Sequence, residues 1–311
     1  MKSTSQFKRE KKYCLLVAIA VLLFFMGGGF GVAGGWLWAQ DTKSTNKPYE
    51  EFKPENFSKS TIIDNEWMPL KPGMRWVYAG TTLEEGKPVP HRLVVIVTDL
   101  VKLINGIHTV VSYDLDYSAG ELVEAELAFY AQDDDGNIWR MGEYPEEYED
   151  GEFVAAPTWI AGIADAKAGI SMRAKPRPGT PDYSQGWAPA VEFTDRGRVD
   201  QMGLQVCVPL DCYENVLVIA ETSASEPDAQ QLKYFARGIG NIRVGWRGEG
   251  EKKQEVLELV DFMMLGPETL AQVRARALKL EKHAYEVSKN VYGRTPPSQP
   301  AHELASKGIL K

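Results

Sequence analysis

Period two dominates the pattern of apolar and polar positions. Ile107, Thr109, Val111, Tyr113, Leu115 and Tyr117 fall on one side of an extended chain, and His108, Ser112, Asp114 and Asp116 fall on the other. Val123, Ala125, Leu127 and Phe129 then alternate with Glu124, Glu126 and Tyr130. Successive side chains of a strand point to opposite faces, so this alternation predicts half-buried antiparallel strands. Further strands are expected at 75–83, 91–104 and 137–144 and, after an interruption, at 190–199, 204–208, 212–222, 230–237, 240–247 and 253–263. Asn105-Gly106 marks the turn between 91–104 and 107–117, because both central residues of a type I′ turn need positive φ.

Ten or so strands thus follow one another with short turns and almost no helix between them. Parallel sheets need long crossovers, so the expected fold is mainly β, an antiparallel meander. A meander of this length curls, which predicts a barrel or half-barrel. Residues 145–190 break the pattern with Pro157, Gly162, Gly169, Pro176, Pro178, Pro181 and Pro189, and read as long ordered loops with a short helix near 161–168.

A change of period marks the C-terminal end. Gly266-Pro267-Glu268 starts a helix, with proline in the first turn and an acid near the positive dipole end. Leu270, Val273, Ala277, Leu280, Ala284, Val287 and Val291 then step by three and four, and Gly293 with Pro296-Pro297 stops the run. This predicts one amphipathic helix over 266–293. Its seam either covers the chain's own sheet or receives a protein partner. Residues 294–311 read as a flexible tail.

The N-terminal end places the molecule. Lys8, Arg9, Lys11 and Lys12 precede an almost uncharged run from Cys14 to Ala39. Residues 1–39 therefore read as a signal peptide or a membrane anchor, and 40–65 as a polar linker ahead of a β domain over 66–265. The chain is expected to be exported, to the periplasmic or extracytoplasmic face of the membrane, either anchored or released. Formal net charge is −8, and the five basic residues and one acid of the leader leave −12 for the remainder. A surface this acidic repels phosphate backbones, so nucleic acid is not an expected partner.

Candidate chemistry is sparse. Cys207 and Cys212 lie between two expected strands, where four intervening residues can bring them into disulfide range; the other readings are a metal or redox pair. Asp133, Asp135 and Asn137 match part of a calcium loop. Ala131 and Gly142 occupy its first and last ligand places, and a simple hairpin turn explains the same residues. None of His91, His108, His283 and His302 pairs with another at metal-ligand spacing, and no nucleophile or phosphate-loop motif occurs. No cofactor is implied. Aromatic residues gather in and beside the loop-rich segment, where they either plug the barrel end or line a site. The candidate lining residues are Trp139, Glu143, Trp159, Met172, Tyr183 and Gln185, the aromatics to pack a ligand and Glu143 and Gln185 to orient its polar end.

Pro69-Leu-Lys-Pro-Gly73-Met-Arg-Trp76-Val-Tyr78, Tyr130-Ala-Gln-Asp133-Asp-Asp-Gly136-Asn137-Ile-Trp139-Arg-Met-Gly142-Glu143 and Lys233-Tyr234-Phe-Ala-Arg-Gly238-Ile-Gly240 stand as signposts along the domain. With them, residues 66–248 resemble a group of exported, β-rich bacterial proteins, mostly uncharacterised. The resemblance implies an envelope location and a single β domain, and transfers no catalytic residue. The Cys207/Cys212 pair and the terminal helix depart from it. The expected function is a non-enzymatic envelope protein that binds a lipid or another apolar or amphiphilic ligand, or serves as an accessory subunit. Two alternatives are a secreted carbohydrate hydrolase with paired carboxylates and a structural module acting through the helix.

Overall fold

The computed structural model describes residues 48–310. The leader, and with it the choice between signal peptide and anchor, lies outside the described residues. Among those described, no helix is long and apolar enough to cross a membrane.

Two five-stranded meanders make up the sheet. The first is β1 (Met74–Glu84), β2 (Lys87–Ile104), β3 (Ile107–Ser118), β4 (Glu121–Gln132) and β5 (Ile138–Glu149). Between the meanders lie the short strands β6 (Glu152–Ala155), β7 (Trp159–Ile160), β8 (Lys167–Met172), β9 (Tyr183–Ser184) and β10 (Gly186–Trp187). The second meander is β11 (Arg196–Cys207), β12 (Cys212–Ser223), β13 (Glu226–Ala236), β14 (Gly240–Arg247) and β15 (Val256–Met264). The ladder runs β10-β8-β5-β4-β3-β2-β1-β15-β14-β13-β12-β11-β9, so the first and last long strands zip together in its middle. Every pairing is antiparallel, as the short connections require. Asn105 and Gly106 take φ of +47° and +82°, as expected for the tight β2–β3 turn.

The sheet does not close into a barrel, which corrects the closed form of the expectation. Its two ends, β9 and β10, are neighbours in sequence but are not paired with each other. Proline supplies no backbone donor, and Pro176, Pro178, Pro181 and Pro189 confine this stretch to two-residue strands. Gly169 lets the stretch lie close against β8, since a Cβ there would stand 2.2 Å from the Gln185 carbonyl carbon. The short helix expected near 161–168 is instead a turn leading into β8.

Alternation along the strands sorts side chains between two cores. Val77, Ile96, Val111, Leu127, Phe129 and Met141 face α1 (Pro267–Val287), which lays Val273, Ala277, Leu280 and Ala284 on them. Trp76, Tyr78, Val97, Val110, Leu217, Ile219, Val244 and Leu257 face inward, into the concavity of the sheet. The expected helical seam therefore packs on the chain's own sheet, although Val287 stays exposed and the helix ends there.

A buried ion pair fastens this contact. Lys102, in the apolar run of β2, is 0% exposed and places Nζ 2.7 Å from Glu281 Oε1 on α1. Nζ also donates to Pro296 O at 2.9 Å and to Tyr285 Oη at 3.2 Å. Glu281 accepts further bonds from Tyr292 Oη and from the amide and hydroxyl of Ser298. The stretch expected as a flexible tail carries two of these partners, Pro296 and Ser298. It goes on to add β16 (Gln299–Pro300) to β2 and ends in α2 (Ala301–Ser306). On the linker side, Phe52 and Phe57 pack edge-on against Trp139, with ring centroids 5.5 and 6.0 Å away.

Candidate ligand-binding site

The inner faces of the two meanders meet inside the concavity and form a cavity of about 330 Å³. One wall is apolar: Trp76 and Tyr78 of β1, Leu93 and Val95 of β2, Val244 of β14 and Leu257 of β15. The facing walls are acidic. Asp114 and Asp116 come from β3 and Glu124 and Glu126 from β4, with Asp195, Glu221 and Glu255 completing the lining. These seven carboxylates stand against two permanent cations in the lining, Arg140 and Lys233. A second cavity, of about 370 Å³, shares Asp195, Glu221, Gln231 and Glu255 with the first and extends the acidic surface outward past Trp246 and Glu251.

The ladder register concentrates this charge. Asp114 stands directly opposite Glu126, and Asp116 directly opposite Glu124. Like charges at facing positions destabilise a sheet, so the arrangement costs the fold stability. Part of the charge is neutralised. Arg140 bonds Glu126 at 2.5 Å and also pairs with Glu143. Lys233 lies 2.7 Å from Glu221, whose other oxygen accepts from Gln185 at 2.6 Å. Asp114 accepts from Ser112 at 2.5 Å.

The remaining charge shows in proton affinity. Burial, reinforced by Glu126, pushes Asp114 up to about 8. Burial with Glu126 and Asp116 does the same to Glu124, also to about 8. Glu143 rises to about 8 because burial and Glu126 outweigh its Arg140 partner. Burial also raises Asp195 and Glu255. In each case desolvation disfavours the charged form and a neighbouring carboxylate adds to it.

Against Asp116 and Glu255 of the cavity lining packs His91, 6% exposed. Its Nε2 lies 2.5 Å from Asp116 Oδ1, and its Nδ1 lies 3.2 Å from Glu255 Oε1. Burial alone would lower its proton affinity, but the hydrogen bond and charge of Asp116 and the charge of Glu255 together raise it.

Of the six lining residues expected from sequence, Gln185 lines the cavity and Glu143 joins its Arg140 network. Trp159 stands behind the wall, stacked at 4.8 Å on Phe193, which does line it. Trp139, Met172 and Tyr183 are buried core residues. Trp139 faces the lead-in, donating from its indole to Asp133 at 2.8 Å. Asp133 also accepts from the backbone and side chain of Asn137, so its oxygens serve the hairpin turn; the Asp135 side chain makes no bond there. Cys207 and Cys212 are facing partners at the β11–β12 turn and form a disulfide. The acidic alternation of β3 and β4 was visible in the sequence. Its convergence with Glu221 and Glu255, 95 or more residues away, carried no local signal.

Comparison with known proteins finds no matching family model and no matching curated protein. Two solved structures are similar to this chain. One is a Bacteroides fragilis protein provisionally described as exported and of YmcC-like fold. It is 14% identical, with a TM-score of 0.37, over 64% of this chain and 99% of its own. The other, provisionally described as a lipoprotein, is from Parabacteroides distasonis. It is 12% identical, with a TM-score of 0.30, over 64% of this chain and 100% of its own. Neither description names a ligand or a reaction.

Proposed function

We propose that this chain is an exported binding protein whose concavity receives a small amphiphile with a cationic head group. The observation that carries the reading is the pairing, within one cavity, of the Trp76–Tyr78–Leu93–Val95 wall with an excess of carboxylates. The apolar wall suits a hydrocarbon or aromatic body, and small-ligand sites commonly combine such a surface with a few orienting polar groups. The acidic wall suits an amine, which would replace the protons that the crowded carboxylates otherwise hold. This sharpens the amphiphile expected from sequence by giving its head group a sign. Export is supported by the basic-then-apolar leader and by the Cys207–Cys212 bond, which belongs to an oxidising compartment.

The test is thermal-shift titration, in EDTA, with dodecylamine and with dodecanoic acid. The amine is expected to raise Tm, and the acid to leave it unchanged. Asp114→Asn combined with Glu124→Gln should weaken the amine response at least tenfold. An equal response to both amphiphiles would remove the charge-reading role of the cavity, and no response to either would remove the cavity as an amphiphile site.

A further inference from the structure

We propose that His91 and Glu255 form a divalent transition-metal site beside the acidic cavity, with Asp116 as the positioning residue behind the histidine. The inference goes beyond the amphiphile reading, and the two can fail separately.

Three observations support it. First, His91, Asp116 and Glu255 converge so that one donor atom of each lies within 4.8 Å of the others, close enough for His91 and Glu255 to share an ion while Asp116 holds the ring. Second, His91 is 6% exposed, yet its Nδ1 makes no hydrogen bond. That nitrogen approaches Glu255 Oε1 to 3.2 Å without the direction a hydrogen bond needs. In a tetrahedral zinc centre, a nitrogen and an oxygen ligand bound at ordinary lengths stand about 3.4 Å apart. Third, each donor is held from behind. Asp116 grips Nε2 at 2.5 Å, and Gln231 donates to the other oxygen of Glu255 at 2.8 Å. A carboxylate on the far ring nitrogen fixes the tautomer and leaves Nδ1 as the free lone pair, the usual outer support of a metal-bound histidine.

The donor set narrows the ion. One imidazole with a carboxylate suits zinc or another transition metal, whereas calcium and magnesium favour all-oxygen sets. The remaining coordination positions would be open to solvent, since Asp116 and Glu255 both line the cavity. The competing description is an imidazolium clamped between two carboxylates, which needs no metal.

Calorimetric titration of the EDTA-stripped full chain with zinc chloride, with no amphiphile present, tests the proposal. One zinc per chain is expected, with affinity reduced at least tenfold by His91→Gln and by Glu255→Gln. Glu214→Gln, exposed and remote, should bind as the parent does. Calcium chloride should give no saturable heat. In case either variant fails to fold, the parent protein carries a second readout. Zinc should shift the Nδ1 resonance of His91 in a long-range proton–nitrogen NMR spectrum, while Nε2 stays protonated and bonded to Asp116. Absent or substoichiometric binding, zinc uptake indifferent to both substitutions, or an unmoved Nδ1 resonance would each overturn the proposal.

Discussion

The two faces of the β2–β4 sheet bury charge in opposite ways. On the helix side, Lys102 and Glu281 are matched one to one, and each is surrounded by hydrogen-bonding partners. Inside the concavity, seven carboxylates share Arg140 and Lys233, and facing pairs carry the same sign. Satisfied charge behaves as part of the fold, because nothing further can be gained by adding a ligand. Unsatisfied charge retains free energy that only a proton or a cation can recover. The contrast separates a structural network from a binding site without reference to any motif.

The largest expected effect breaks the matched side. Lys102→Met strands Glu281 in the core and should cost about 3–5 kcal/mol in urea unfolding. Combining it with Glu281→Leu should return most of that loss, because a well-packed apolar pair can replace a buried ion pair. Next in size is the covalent control. Cys207→Ser with Cys212→Ser should cost about 2 kcal/mol, as expected for so short a closed loop, and should leave the pH dependence of stability unchanged.

That pH dependence is the third test. Glu124 and Glu143 hold protons in the folded state up to about 8, whereas an unfolded glutamate releases its proton near 4.3. Between those limits the folded chain binds more protons, so stability should fall as pH rises from about 4.3 to about 8. Asp200, held below the usual range first by its Arg247 hydrogen bond, works the other way, and its contribution is lost only as pH falls below about 4. Tm at pH 5 should therefore exceed Tm at pH 8. The reverse order would mean that the carboxylates are not crowded as described. The smallest effect is on the concave side alone: Glu124→Gln should stabilise the chain at pH 8 by about 0.5–1 kcal/mol by removing one facing like charge.

Much of this architecture is legible in the sequence. The alternation at 107–117 and 123–130 yields β3 and β4 with the correct faces, and the Asn105-Gly106 turn sits where its conformational demand places it. The site is less legible for a physical reason. Period two says that Asp114 and Asp116 share a face, but not whether that face meets water or another part of the sheet. Curling decides that, and curling depends on β1 meeting β15. Lys102 and Glu281 are hidden more deeply still. Lys102 interrupts an apolar stretch as if it were a flaw, and Glu281, the partner that explains it, lies 179 positions away. The loop-rich segment misleads in the opposite direction. Trp139 and Tyr183 look available in a list of residues, yet the lead-in and β11 cover them.

The zip between β1 and β15 also governs when the molecule can become itself. Met74 is the ladder partner of Met264, so the earliest long strand waits for a neighbour that ends 190 residues further along the chain. Meanwhile the first meander carries a bare edge, open to pairing with any strand that comes within reach. Contacts this distant in sequence form slowly. A chaperone that shields the β1 edge until the final strand arrives should raise the yield of native protein more than one that acts on the finished second half.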